Sequence, residues 1–309
     1  MLIDRRTYDL ARWRVPGPFE PIPALVYQRA DLPGPKPAVV YYHGVVQRKE
    51  VYIDWHPLAR LLADAGFAVV LPDAPGHGER PAGATVVERL RQSLPHEFCA
   101  DIEQAADEAP ALYDWAAALP EVDGSRLGVL GLSMGGFTAA VVAARLRPRL
   151  RAAVCIAGAA DLAVCMAQTD SIAPGKWGPL DRALDPETRD RIARIDPLYY
   201  PEQFAPLPLL VLHGARDTWN PGVTGERFAA AVQPHYGAAP DRFRFTLVPG
   251  APHWPPNAAI VDEALSWLRR YVEDANQNRT MVRSMFHVSG FTWAFVRETW
   301  NLKRETERS

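Results

Sequence analysis

The chain has 309 residues, with 34 basic and 36 acidic side chains, a formal net charge of -2, 48% hydrophobic and 23% charged residues. That balance excludes the strong positive field that nucleic-acid binding or attachment to an anionic membrane requires. Three cysteines, Cys99, Cys155 and Cys165, form no C-x-x-C pair and no even set, which excludes a disulfide framework and a zinc site on spacing.

The N-terminal stretch MLIDRRTYDL has no apolar core after its charges, so it does not read as a secretory signal. No segment approaches the roughly 20 apolar residues of a membrane span. A cytoplasmic protein is the expectation. The first 30 residues are expected to add one or two antiparallel edge strands. Further on, short apolar runs at 38–42, 67–71, 126–130, 152–157, 207–213 and 243–248 show little polar alternation. Strands covered on both faces have this pattern. Helical patterns at 54–65, 98–119, 134–146, 222–233 and 257–274 separate them. The first carries Leu58, Leu61 and Leu62 at helical spacing and stops before Gly66, a C′ glycine. Strand and helix in regular alternation predict an α/β chain with a doubly wound, mostly parallel sheet.

One interval departs from the rhythm. About 50 residues separate the runs at 152–157 and 207–213, far more than a simple connection needs. This stretch, about 159–205, holds Met166, Ile172, Trp177, Leu180 and Leu184 among several prolines. It reads as an inserted cap of short helices within a domain spanning 1–274. A tail, 275–309, follows. Met281, Met285, Val288 and Phe295 approximate a helical stripe there. That stripe suits a helix packed on its own domain, a homodimer contact, or a membrane-surface anchor.

The chemistry is expected at Gly131-Leu132-Ser133-Met134-Gly135-Gly136, which follows one apolar run and opens a helical one. Strand, sharp turn and helix are the setting of a nucleophile elbow, with Ser133 projecting from the sheet's carboxyl edge. A serine hydroxyl is a weak nucleophile and needs a base. Only His213, His235, His253 and His287 lie after Ser133, and His253 stands in a loop between the last run and the last helix. An imidazole there can reach over the serine. The acid must fall between them. Asp217 lies just past the run at 207–213, and Asp161, past the preceding run, is its competitor. Its role would be to accept the other imidazole N–H and hold the tautomer. The N–H of Met134 and that of Val45, beside Gly44, are the expected oxyanion donors, each worth about 3–4 kcal/mol. Trp177, Trp219 and Trp254 are expected to wall an apolar substrate pocket.

These motifs, with His43-Gly44, Pro72-Asp73-Ala74-Pro75-Gly76-His77-Gly78 and His213-Gly214-Ala215-Arg216-Asp217, resemble the α/β-hydrolase superfamily over residues 36–274. The branch they are most similar to is that of small bacterial esterases related to dienelactone hydrolase and to prolyl oligopeptidase catalytic domains. The resemblance implies carboxylester hydrolysis of a small-molecule substrate without a cofactor, and makes Asp73 and His77 parts of a structural loop. Two features depart from it. Dienelactone hydrolases carry cysteine where this chain has Ser133. Oligopeptidases carry an N-terminal propeller, for which 35 residues leave no room. Peptidase or acyltransferase chemistry with the same residues is the alternative, and a binding protein that keeps the fold is a third reading. No H-E-x-x-H or comparable metal-ligand spacing occurs.

Overall fold

Each apolar run between 38 and 213 becomes a strand whose successive side chains enter two different cores; the run at 243–248 becomes a partly exposed edge strand. In the strand Lys36–Tyr42, Ala38, Val40 and Tyr42 join one buried cluster while Val39 and Tyr41 join the other. A strand alternates its side chains between faces, so a strand buried on both faces must be apolar throughout. The computed structural model describes residues 8–54, 56–80, 85–166, 184–254 and 256–273.

The strands are β1 (Tyr8–Val15), β2 (Ile22–Arg29), β3 (Lys36–Tyr42), β4 (Ala68–Pro72), β5 (Val122–Leu132), β6 (Ala152–Ile156), β7 (Leu209–Arg216) and β8 (Phe243–Pro252). They form one eight-stranded sheet in the order β1-β2-β4-β3-β5-β6-β7-β8. β1 and β2 are antiparallel, matching the edge strands expected of the first 30 residues. All pairings from β4 through β8 are parallel. The expected doubly wound sheet is therefore the observed one. Strand order reverses at β3, which lies between β4 and β5, and crevices at the carboxyl ends of strands form at such reversals.

The helices are α1 (Val51–Asp54), α2 (Pro57–Asp64), α3 (Val86–Ala117), α4 (Met134–Leu146), α5 (Pro186–Ile195), α6 (Gly222–Val232) and α7 (Ala258–Val272). One face of the sheet packs on α2 through Leu58 and Leu62 and on α7 through Ile260, Ala264 and Leu268. The other packs on α3, α4 and α6, through Phe98, Ile102, Phe137, Val141 and Phe228. Gly66 follows α2 at φ +93°, as a C′ glycine should.

The largest difference from expectation is α3. It starts at Val86, ahead of the expected 98, and bends at Ser93, whose φ of -158° and ψ of 87° are not helical. Pro95 explains both the break and the misreading, because proline lacks the N–H and clashes with the preceding turn. The first segment is held at its start by a capping box. The Glu88 N–H donates to Thr85 Oγ1 at 3.2 Å, and the Thr85 N–H donates to Glu88 Oε2 at 2.8 Å.

Between β6 and β7 the described residues form a helical turn at 162–166, α5, and 3₁₀ turns at Pro197–Tyr199 and Pro201–Gln203. The chain divides into residues 1–272 and 273–309. The expected tail helix within 275–309 lies outside the described residues, as do Trp177 and the rest of 167–183.

Candidate active site

Ser133 sits where β5 hands over to α4, at φ 59° and ψ -120°. A non-glycine residue at positive φ is strained, and the surroundings must hold it there. They do so by close contact. A Cβ on Gly131 would lie 1.8 Å from the Gly135 carbonyl oxygen, and one on Gly135 would lie 2.1 Å from that of Tyr42. Neither position can carry a side chain. The Ser133 N–H donates to the Ile156 carbonyl at 2.8 Å, and the Ser133 carbonyl accepts the Gly136 N–H at 2.8 Å. The elbow expected from the sequence is the elbow that forms.

His253 follows β8 directly and Asp217 follows β7, so both project at the carboxyl end of the sheet beside Ser133. His253 Nε2 lies 2.9 Å from Ser133 Oγ, and His253 Nδ1 lies 2.8 Å from Asp217 Oδ2. The Asp217 side chain is fully buried and that of His253 is 13% exposed. Oδ1 of Asp217 accepts the N–H groups of Trp219 at 2.8 Å and Asn220 at 2.9 Å. With Oδ2 facing Nδ1, the neutral imidazole carries its proton on Nδ1 and presents a lone pair at Nε2 to the hydroxyl. The competing groups are placed elsewhere. Asp161 Oδ2 accepts from Arg227 at 2.6 Å. His213 is fully buried within β7, and burial pulls its pKa down to about 4.

The loop after β3 lies against the elbow. A Cβ on Gly44 would be 3.5 Å from Ser133 Cβ. The Gly44 N–H donates to the Tyr52 hydroxyl oxygen at 2.8 Å, and its carbonyl accepts from His43 Nδ1 at 2.8 Å. Among the described residues, neither Val45 nor Met134 donates its backbone N–H to another group. Both expected oxyanion donors are thus uncommitted among those residues.

A cleft opens onto Ser133, lined by Val45, Leu90, Leu94, Phe98, Met166, Trp219 and Asn220. Among the described residues the lining is apolar apart from Ser133 and Asn220, and none of these is charged. Trp219 stacks on the His253 ring, centroids 5.8 Å apart and 19° from parallel. Trp254 differs from expectation. It is 39% exposed, stacks on His56, and is not part of this lining. The residue after His253 points past the cleft because the imidazole itself takes the inward direction. Leu90, Leu94 and Phe98 were not anticipated. The capping-box spacing Thr85-x-x-Glu88 was the available signal for the helix segment that carries Leu90. Among the described residues no cluster of three or more His, Cys, Asp or Glu is arranged to hold a metal ion. No described helix is long and apolar enough to cross a membrane.

Sheet order, elbow and hydrogen-bonded relay together define a protein of the α/β-hydrolase superfamily. Residues 55–275 match the prolyl oligopeptidase family, and the chain belongs to that family. It is 31% identical over 211 residues to Esterase YjfP of Escherichia coli (strain K12), covering 64% of this chain and 75% of that protein. It is 29% identical over 238 residues to the esterase-named YitV of Bacillus subtilis (strain 168), covering 76% of this chain and 89% of that one. The crystal structure of TT1662 from Thermus thermophilus superposes with a TM-score of 0.62 at 22% identity, covering 87% of this chain and 99% of that chain. Family membership and geometry make the chain a serine hydrolase.

Proposed function

We propose that the protein is a carboxylesterase of short or medium acyl esters, with Ser133 as nucleophile, His253 as general base and Asp217 as the orienting acid. The observation that carries this reading is the unbroken relay from Ser133 Oγ through His253 to Asp217, at 2.9 and 2.8 Å. His253 Nε2 takes the hydroxyl proton as Ser133 Oγ attacks the acyl carbonyl. The tetrahedral oxyanion is met by the N–H groups of Val45 and Met134. Imidazolium, stabilised by Asp217, returns the proton to the departing alcohol, which leaves an acyl-serine. Water, deprotonated by the same imidazole, then attacks and releases the acid. No step calls for a cofactor.

The apolar cleft supports an uncharged acyl group, and Met166 supports a capping role for the insertion at 159–205. Turnover of p-nitrophenyl acetate and butyrate tests the proposal. Ser133→Ala should abolish it, and full activity in that variant overturns the assignment. The prolyl oligopeptidase family match favours one second reading, peptide-bond hydrolysis with the same residues. Aminoacyl-p-nitroanilides assayed beside the esters separate the two.

A further inference from the structure

Two of the buried histidines outside the relay face each other: His43 in the loop after β3 and His77 in the loop after β4, each 1% exposed. Their ring centroids lie 5.3 Å apart. Each ring reaches across to the other's loop. His43 Nε2 accepts the Ala74 N–H at 2.9 Å, and His77 Nε2 accepts the Val46 N–H at 3.2 Å. A neutral ring that accepts at Nε2 carries its proton at Nδ1. Both Nδ1 atoms have a carbonyl to donate to, His43 to Gly44 at 2.8 Å and His77 to Pro75 at 2.7 Å.

These bonds bracket one residue, Val45. The Gly44 carbonyl and the Val45 N–H share a trans peptide plane and point in opposite directions. A ring that grips the carbonyl therefore also aims the amide. His77 grips the next amide, that of Val46, whose φ of 58° is costly for a β-branched residue and must be imposed from outside. Val45 lines the cleft together with Ser133.

We propose that His43 and His77 form a reciprocal clasp between the two loops, and that as positioning residues they hold the Val45 N–H where the oxyanion develops. The catalytic half of this statement rests on the hydrolase reading above. The surroundings suit neutral rings. Burial pushes both histidines below the usual range, His77 to about 3. Asp101 Oδ2, the nearest carboxylate oxygen to His77 Nδ1, stays 3.8 Å away. Arg80 and Arg89 oppose protonation of the same ring.

The test pairs kinetics with spectroscopy. His77→Phe keeps the ring volume and removes the acceptor, whereas His77→Gln restores an acceptor near the Nε2 position. His77→Phe should lower kcat for p-nitrophenyl butyrate by about 10- to 100-fold. KM should stay within about twofold, and His77→Gln should recover part of the loss. Affinity for a trifluoromethyl ketone, whose adduct carries the oxyanion, should fall in parallel with kcat/KM. Imidazole nitrogen NMR of the unsubstituted protein should show His43 and His77 as neutral Nδ1–H tautomers from about pH 5 to 9. A protein inert to esters that shows both tautomers overturns the esterase reading and leaves the clasp standing. An Nε2–H tautomer at either histidine overturns the clasp. So does a folded His77→Phe variant that keeps kcat within twofold.

Discussion

Asp217 divides its carboxylate between His253 and its own loop: Oδ2 faces His253 Nδ1 at 2.8 Å, while Oδ1 is held by the N–H groups of Trp219 and Asn220. The loop therefore sets the direction in which the acid can hold the imidazole. In this arrangement Trp219 both helps to anchor the acid and stacks on the ring that the acid orients.

The first prediction follows from that division. Asp217→Asn keeps the size of the side chain but can offer an amide NH₂ to Nδ1, which favours the wrong tautomer. Ester kcat should fall by about 10³- to 10⁴-fold, with KM little changed. Steady-state kinetics on p-nitrophenyl butyrate measure it, and a loss below tenfold would remove Asp217 from its assigned role.

The cleft wall leads to a second prediction. Phe98 packs edge-on against Phe137 with centroids 6.0 Å apart and presents its other side to the cleft. Phe98→Ala should open room for a longer acyl chain. Each methylene accommodated in an apolar pocket changes discrimination by about 1–3 kcal/mol. The ratio of kcat/KM for octanoate over butyrate should rise at least tenfold across a graded ester panel. An unchanged profile would place the acyl group elsewhere.

A third prediction concerns acid. Burial holds His56 and His77 near pKa values of about 3 and His213 near about 4. In the unfolded chain they titrate near 6.5. Between about pH 4 and 6.5 the unfolded state binds more protons, so stability rises with pH across that window and falls on acidification. Each such histidine costs up to about 1.4 kcal/mol per pH unit there. Asp101, pushed up to about 7 by burial, and Asp196, also raised by burial, act in the opposite direction. The histidines outnumber them, and His43 adds to their side. Urea midpoints should drop steadily from pH 7 to about 4.5, and a flat or rising series contradicts the balance.

The loop after β4 supports a fourth. Lys49 Nζ, 1% exposed, donates to Asp73 Oδ2 at 2.6 Å and to Glu79 Oε1 at 2.7 Å. Lys49→Met strips the cation from the buried Asp73 carboxylate and should destabilise the fold by about 3 kcal/mol or more. Lys49→Met combined with Asp73→Asn should recover part of that loss, because the fully buried carboxylate is then neutral as well. Denaturant titrations of the single and double variants decide it.

Much of this architecture was legible in the residue order. The six apolar runs each fall on an observed strand: five are covered on both faces and leave no place for polar alternation, and the sixth, 243–248, forms the partly exposed edge strand β8. Ser133 was legible because its strained backbone demands Gly131 and Gly135 in fixed positions. The first segment of α3 was not, because Pro95 and Ser93 interrupt a periodicity that Phe98 resumes. Trp254 was placed by adjacency to His253, and neighbours in sequence often face opposite ways.

Local order alone determined which segments become strands and helices and which serine stands at a glycine-flanked strand-to-helix turn, because each of those patterns is written within a few consecutive residues. Only the tertiary structure decided that His253 meets Ser133 across 120 positions of chain and that Asp217 rather than Asp161 stands behind it. It alone also linked the His43 and His77 loops. Those meetings are set by which strand ends the sheet order brings together, a property of the packed whole that no stretch of sequence carries.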